Sequence, residues 1–535
     1  MNHRVKSRPA QGTDEAPVIE TSPDEVARFL EDAAHFPGGH ATGVVSPRSE
    51  AQIALILRRH PSVLPIGAQS SLTGGATPAG ELVVSFGHMN RVLDIGSDRV
   101  HTEPGVTLAA LQDSLNPYKL FYPPAPTFAG ATVGGTIATN AAGAATFKYG
   151  STRAWLEGLT VVLSCGEVLD LTRGQVVAHP EGYFEIETSH RQVRVPVPEY
   201  RMPDVAKCSA GYHAVPGMDL VDLFVGSEGT LGIVTSATLK VARRASATSV
   251  AFVPLSSESD AFALAADLRL RAQQAWSSHD PDGLDLPAIE YIDGRSLSLV
   301  PARLLRAAGL RPRDTDRAAL FVQIELPSTI TAEQAFAQIA SFEQNPIPPL
   351  AQFCQLVARF GALDRTDIAL PGDRRRAAQL VDIREAVPAA VNELVGAARR
   401  MMGPTIEKVA GDMIVPFERL GAMVRAARAS FERRNLDHAI WGHVSDGNLH
   451  PNVIPRSADD VRAGKAAILE LGREVALLGG CPLAEHGVGR SKVKQALLHQ
   501  LYGSAGIAAM RTVKRALDPE WKLSPGVLFE KEADQ

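Results

Sequence analysis

Gly442-His443-Val444-Ser445-Asp446-Gly447-Asn448-Leu449-His450 lies where two apolar runs meet, His438 to Val444 and Leu449 to Ile454. Asp-Gly between apolar runs signals a type I′ hairpin, whose central residues both need positive φ. A two-residue turn at Asp446-Gly447 sets Ser445 against Asn448, Val444 against Leu449 and His443 against His450. Opposed residues share a face with Cβ atoms about 4.5–5.5 Å apart. Two imidazoles so placed can converge on one divalent cation, at about 2.0–2.1 Å each. Two surface histidines on a hairpin account for the same residues. Ala484-Glu485-His486-Gly487-Val488-Gly489-Arg490 sets an acid beside an imidazole, ahead of a glycine pair that allows close approach. Glu485 can complete a His/His/Glu set with open positions, leaving His486 as a base. The alternative is a helix N-terminus with a stray histidine.

Working outward, the C-terminal half alternates helices and short strands. Helices are expected at Ser259 to Gln274, Ala332 to Phe342, Phe417 to Arg433 and Val461 to Leu478. Strands are expected at Ser249 to Pro254, Ala288 to Ile292 and Ala319 to Glu325, besides the hairpin. Before Arg243 the texture is glycine-rich. Ser22-Pro23-Asp24-Glu25 reads as a capping box, and Ser49 as the cap of a second helix. Val63 to Ile66 and Leu82 to Phe86 read as buried strands, Val106 to Leu115 as a helix. Leu159 to Leu171 gives two strands around Ser164-Cys165-Gly166, and Thr238 to Val241 one more. Each half is α+β.

With 535 residues, 45% of them hydrophobic and 21% charged, the chain can bury more than one core. Its 54 basic and 59 acidic residues leave no chain-wide basic footprint for nucleic acid. Four widely spaced cysteines without a C-x-x-C pair argue against a thiolate zinc cluster or a disulfide scaffold, as in an intracellular protein. Residues 1 to 20 lack the apolar core of a signal peptide and read as a loose tail. Leu120 to Phe147 carries no charge, yet Gly, Ala, Thr and three prolines make it unfit for a bilayer helix.

Two loops offer another use for small residues. Pro65-Ile66-Gly67-Ala68-Gln69-Ser70-Ser71-Leu72-Thr73-Gly74-Gly75 follows a strand, leaving backbone N–H groups open to a pyrophosphate. Thr132-Val133-Gly134-Gly135-Thr136-Ile137-Ala138-Thr139-Asn140 offers a neutral wall for a flat cofactor. Ordinary turns are the plainer reading of either. No G-x-G-x-x-G follows a strand and no P-loop occurs, which disfavours a nicotinamide Rossmann enzyme and a P-loop ATPase.

Together these residues resemble the FAD-linked 2-hydroxyacid dehydrogenases. That family includes cytochrome-linked D-lactate dehydrogenases, the glycolate oxidase flavin subunit and D-2-hydroxyglutarate dehydrogenase. The blocks Gly67 to Gly75, Thr132 to Tyr149, Gly226 to Val234, Gly442 to His450 with Glu485 to Lys492, and Leu523-Ser524-Pro525-Gly526 carry the resemblance. It implies an α+β architecture: a tail and first helix (1–37), a vanillyl-alcohol-oxidase or PCMH-type FAD domain of two α+β subdomains (38–243), and a cap (244–535). The cap is an antiparallel sheet covered by helices, and its C-terminal tail returns to the flavin.

The implied FAD contacts are Ile66, Gly67, Ala68, Gln69, Ser70, Ser71, Leu72, Thr73, Thr132, Gly134, Gly135, Thr136, Asn140, Gly143, Tyr149, Gly229, Ile233 and Asn448. The implied ligands of zinc or manganese are His443, His450 and Glu485, with His486 as base and Arg384 on the substrate carboxylate. The implied reaction oxidises a D-2-hydroxy acid, D-lactate-like, to the 2-oxo acid. The implied partners are that small molecule and an electron acceptor (a quinone, a cytochrome or an electron-transfer flavoprotein). A homodimer is compatible, and the implied setting is cytoplasmic, extending to the periphery of the inner membrane.

Departures bear on the substrate. Ala68-Gln69-Ser70 stands where the family runs glycines. Pro388 and Ala410 stand where the hydroxyglutarate enzymes carry a hydroxyl and a lysine, so contacts for a second carboxylate are incomplete. Two other functions compete. One is a flavin subunit of a glycolate-oxidase-like complex. The other is a transferase like alkyl-dihydroxyacetonephosphate synthase, disfavoured because a single histidine follows Glu485.

Overall fold

Strands Gly43–Val45, Leu82–Ser85 and Val63–Ile66 are apolar on both faces, the pattern of parallel strands covered on both sides. In the computed structural model they form a four-stranded sheet with Ile19–Glu20, and Leu82–Ser85 pairs in parallel with both neighbours. The structure describes residues 2–12, 15–124, 126, 128–244, 247–311, 313, 315–327, 329–343 and 348–531. Helix Glu50–Arg59, capped by the Ser49 side chain on Gln52 N–H, buries Ile53, Ile56 and Leu57.

A six-stranded sheet stands beside it, in the order Arg8–Pro9, Glu167–Thr172, Leu156–Val162, Ile233–Lys240, Arg99–Thr102, Val92–Ile95. Ile233–Lys240 alternates buried and half-buried residues, as an antiparallel strand with one covered face should.

In the second half, Asp367–Ala369, Ala247–Leu255, Ala318–Leu326, Asp285–Asp293, His438–Gly442, Asn448–Val453 and Val409–Ala410 form one antiparallel sheet in that order. Met413–Ile414 also pairs with Asn448–Val453. Helices Glu258–Ser278, Arg374–Met402, Leu420–Glu432 and Ala458–Leu477 accompany it, the first packed on Asp285–Asp293. The chain end returns to the first half: Ser524 N–H donates to Val63 O at 2.9 Å and Ser524 Oγ to Gly229 O at 3.2 Å. Among the described residues no helix is long and apolar enough to cross a membrane.

Three expectations are corrected. Residues 1–20 are not a loose tail throughout. Arg4–Lys6 pairs with Tyr183–Glu187 and Arg8–Pro9 with Glu167–Thr172, anchored by Arg8 Nη1 on Glu50 at 2.8 Å. Ser22 makes no side-chain cap, and its helix is only Pro23–Ala27. The third concerns the hairpin. Trp441, not His443, lies opposite His450, and Val444–Asp446 forms a 3₁₀ turn. Of the expected turn pair only Gly447 has positive φ, at 86°. Other contacts override the local signal. Lys207 Nζ pairs with Asp446 at 3.0 Å, Arg269 Nε donates to Ser445 O, and Ser445 Oγ accepts from Ile289 N–H.

Candidate active site

Loop 67–72, the segment 131–143 and residues 227–234 wall a cavity of ≈ 320 Å³, and His443, Glu485 and His486 close one end. The uncharged stretch thus lies along a ligand-sized space. Thr132 caps helix Val133–Thr139 by accepting from Gly135 N–H. A Cβ on Gly67 would stand 2.2 Å from Thr132 Oγ1, so the two loops approach this closely only because residue 67 is glycine. This neutral cradle of backbone and hydroxyl groups fits a dinucleotide with a flat ring system.

Of the expected cofactor contacts, Gly67, Ala68, Gln69, Ser70, Ser71, Leu72, Thr132, Gly134, Gly135, Thr136, Gly143, Gly229 and Ile233 line the cavity. Five do not. Ile66 is buried in its strand. Thr73 O accepts from Arg490 and Ser491 N–H, turning that residue toward the C-terminal half. Asn140 ends its helix at φ 49° and accepts from Arg153 N–H. Tyr149 donates its hydroxyl to Glu325 at 2.8 Å. Asn448 donates to Asp412 and to Met413 O. The last four are each engaged by a protein partner instead.

His443, His450 and Glu485 each present a ligand atom within 4.8 Å of the others. The imidazole centroids are 5.3 Å apart at 89°. Two carboxylates stand behind the imidazoles. Glu290 Oε1 lies 2.8 Å from His443 Nδ1, leaving Nε2 toward Glu485 Oε1 at 3.6 Å. Asp412 Oδ1 lies 3.4 Å from His450 Nδ1. A carboxylate behind a ligating imidazole is the usual support of a metal site, so these residues fit a divalent cation. Burial works against the Glu485 charge, but Lys207 and His443 hold its carboxyl well below the usual range. Burial disfavours a charged His443, yet Glu290 pushes it up to about 9. Burial lowers His450.

His486 lines the cavity outside that set. Its Nδ1 lies 3.0 Å from Asp412 Oδ2, and its backbone is left-handed at φ 69°. Glu228 holds the strained turn by accepting from Val488 N–H at 2.7 Å and Gly489 N–H at 2.9 Å. Burial pushes the Glu228 carboxyl up to about 7. Arg384, on Arg374–Met402, is not at the cavity wall. Its Nη2 reaches Glu290 Oε1 at 3.1 Å, behind His443, and Nη1 pairs with Glu385.

Sequence reasoning missed Lys207, Glu228, Glu290 and Asp412. Lys207 Nζ donates to Glu485 Oε1 at 2.6 Å. One signal was available: Glu290 is a single acid within the apolar run 286–292, and a charge there needs a buried partner.

Residues 258–528 match the family described as FAD linked oxidases, C-terminal domain, and residues 41–172 match the FAD binding domain family. The chain is 28% identical over 503 residues to glycolate oxidase subunit GlcD of Bacillus subtilis, covering 92% of this chain and 89% of that protein. It is 28% identical over 530 residues to D-2-hydroxyglutarate dehydrogenase of Xanthomonas citri, covering 96% and 94%. Among solved structures, 4-ethylphenol oxidase from Gulosibacter chungangensis superposes with a TM-score of 0.64 at 15% identity, covering 96% of this chain and 94% of that one. That likeness is one of fold, the PCMH-type flavoprotein architecture.

Proposed function

The chain belongs to the FAD-linked oxidases, and from that premise we infer that it is an FAD-dependent 2-hydroxyacid dehydrogenase passing its electrons to a separate acceptor. In this reading residues 38–243 hold FAD and residues 244–535 supply the cap and the acid–base groups. One observation carries it. His443, Glu485 and His486 line one part of a glycine-rich cavity, and His450 stands beside them with a ligand atom within 4.8 Å of those of His443 and Glu485.

His443, His450 and Glu485 would hold a divalent cation, zinc or manganese, which lowers the pKa of a bound hydroxyl. FAD held along loop 67–72 and the segment 131–143 would supply the acceptor for the Cα hydride. The protein's own task is the proton. His486 takes it from the hydroxyl at Nε2, while Nδ1–H, donating to Asp412, fixes the ring and stabilises the imidazolium. Burial opposes the Asp412 charge, but hydrogen bonds from His450 and His486 hold its carboxyl well below the usual range, so it stays an acceptor. Arg384 acts through Glu290 on His443 rather than on the substrate.

The substrate we favour is a D-lactate-like monocarboxylate. Ala410 ends the short strand Val409–Ala410 with no charge to offer a second carboxylate, and Pro388 lies inside Arg374–Met402 with no hydroxyl. A flavin spectrum recorded before and after adding a panel of D- and L-2-hydroxy acids tests the reading. Bleaching by D-monocarboxylates is expected. A flavin that no 2-hydroxy acid reduces would overturn it.

A further inference from the structure

Cys208 and Cys481 are 273 residues apart in sequence, yet their Sγ atoms are 3.4 Å apart. The backbones around them are already joined. Ser209 N–H donates to Leu483 O at 2.9 Å, and Cys481 exchanges backbone hydrogen bonds of 2.8 and 2.9 Å with Ile414. The flanking residues are ones the site uses. Lys207 precedes Cys208, Glu485 follows Cys481 by four, and Lys207 binds Glu485. Cys165 is exposed on its turn, and Cys354 is buried on helix Pro349–Arg359.

We propose that Cys208 and Cys481 are a dithiol site that a hydroperoxide converts to a disulfide, locking the Lys207 loop of the first half to the Glu485 loop of the second. A disulfide needs an S–S distance of about 2.05 Å. The sulfurs must therefore close by about 1.4 Å, within reach of side-chain rotation when the backbones are already hydrogen-bonded. The two sulfurs differ in the way a stepwise oxidation requires. Cys208 is half-buried and Cys481 fully buried. A hydrogen bond from Cys481 lowers the Cys208 thiol, and burial raises the Cys481 thiol. The thiol held lower therefore belongs to the less buried of the two residues.

The chemistry balances. With hydrogen peroxide, the Cys208 thiolate attacks one oxygen, the O–O bond breaks, a sulfenic acid forms, and the leaving hydroxide takes up the proton that the Cys208 thiol released, giving one water. The Cys481 sulfur then attacks the sulfenic sulfur, the S–S bond forms, and the hydroxyl leaves with the Cys481 proton as a second water. Two thiols lose two electrons and the peroxide gains them. A dithiol reverses the bond by exchange.

The test treats the purified flavin-loaded protein with stoichiometric hydrogen peroxide, then counts thiols under denaturing conditions. The four cysteines should fall from four reactive thiols to two. A non-reducing peptide map should join the Cys208 and Cys481 peptides, and dithiothreitol should restore all four. The oxidised protein should unfold at a higher temperature, because the closed loop restricts the unfolded chain. That increment should vanish in Cys208→Ser and equally in Cys481→Ser, so one misfolded variant does not decide the matter. Four surviving thiols, any other pairing, or a sulfinic acid on Cys208 with Cys481 still free would overturn the proposal. None of these readouts depends on which acid is oxidised.

Discussion

Asp412 accepts from His486 Nδ1 at 3.0 Å through the same oxygen, Oδ2, that accepts Glu485 N–H at 2.8 Å. Its other oxygen faces His450 Nδ1 at 3.4 Å. One buried carboxylate therefore contacts one proposed cation ligand, the backbone of a second and the proposed base. On the proposed function, cation site and proton acceptor share this one group, and displacing it should disturb both.

Asp412→Asn tests this coupling. The amide keeps the size of the side chain but puts a donor where some of the four groups facing it, from Asn448, His450, Glu485 and His486, need an acceptor. Flavin content should stay at the wild-type level, because Asp412 does not line the cofactor cavity. Single-turnover flavin reduction should slow by about 10–100-fold, the usual cost of losing such support to a ligand. A rate within twofold of wild type would separate Asp412 from the chemistry.

Cation binding should depend on pH with a defined sign. Glu290 pushes His443 up to about 9 against the effect of burial, so below that pH a proton occupies the nitrogen a cation needs. Apparent affinity should rise by about tenfold per pH unit between 7 and 9, since one proton is released. Titration with zinc or manganese after chelator treatment reads this directly. In His443→Ala the slope should flatten and the affinity fall. A slope unchanged in that variant would remove His443 from the ligand set.

How far the residues themselves reveal this site depends on sequence distance. Leu82–Ser85 is legible because burial on both faces demands an apolar run, and Ala318–Leu326 because a buried apolar stretch passes into alternation at Gln323 and Glu325. The helix Arg374–Met402 is not, although Leu380, Ile383, Val387, Val391 and Val395 keep a helical period. Pro388 and the arginines at 374–376 mask it. The candidate ligands His443, His450 and Glu485 are legible as residue types in short motifs. Their arrangement is not, because Lys207 reaches Glu485 across 278 residues and Glu290 reaches His443 across 153. Those ion pairs, rather than the Asp-Gly turn signal, decide where residues 443–447 go.

Glu228 gives a stability prediction of opposite sign to that of an ordinary ion-paired acid. Burial raises its folded pKa from 4.5 to about 7. Between those values the folded protein holds a proton that the unfolded chain has lost, so the contribution of this group to stability falls as pH rises. Other acids here slope the other way, so the readout is a difference. The unfolding temperature of wild type minus that of Glu228→Gln should fall as pH rises from about 4.5 to 7 and level off above. A difference that is flat or rising across that window would show that Glu228 is ionised throughout.

His486→Ala isolates the proton transfer. The side chain lines the cavity but stands outside the His443, His450 and Glu485 set. A cation held by that set should survive its removal, as should the flavin, whereas a cation held by the second possible group, Asp412, Glu485 and His486, would be lost. The turn survives as well, because Glu228 binds the N–H groups of Val488 and Gly489 rather than the ring. Alanine at φ 69° costs some stability, which the unfolding temperature records separately. What is lost is the acceptor for the hydroxyl proton, worth roughly 10²–10⁴-fold in rate. Flavin reduction at saturating 2-hydroxy acid should fall by that factor, while Asp412→Asn falls less because its imidazole remains. Added imidazole should recover part of the rate in His486→Ala and none in His443→Ala, where the missing ring is a ligand and not the base. Equal rescue of both variants, or an unchanged reduction rate in His486→Ala, would take the base assignment away from His486.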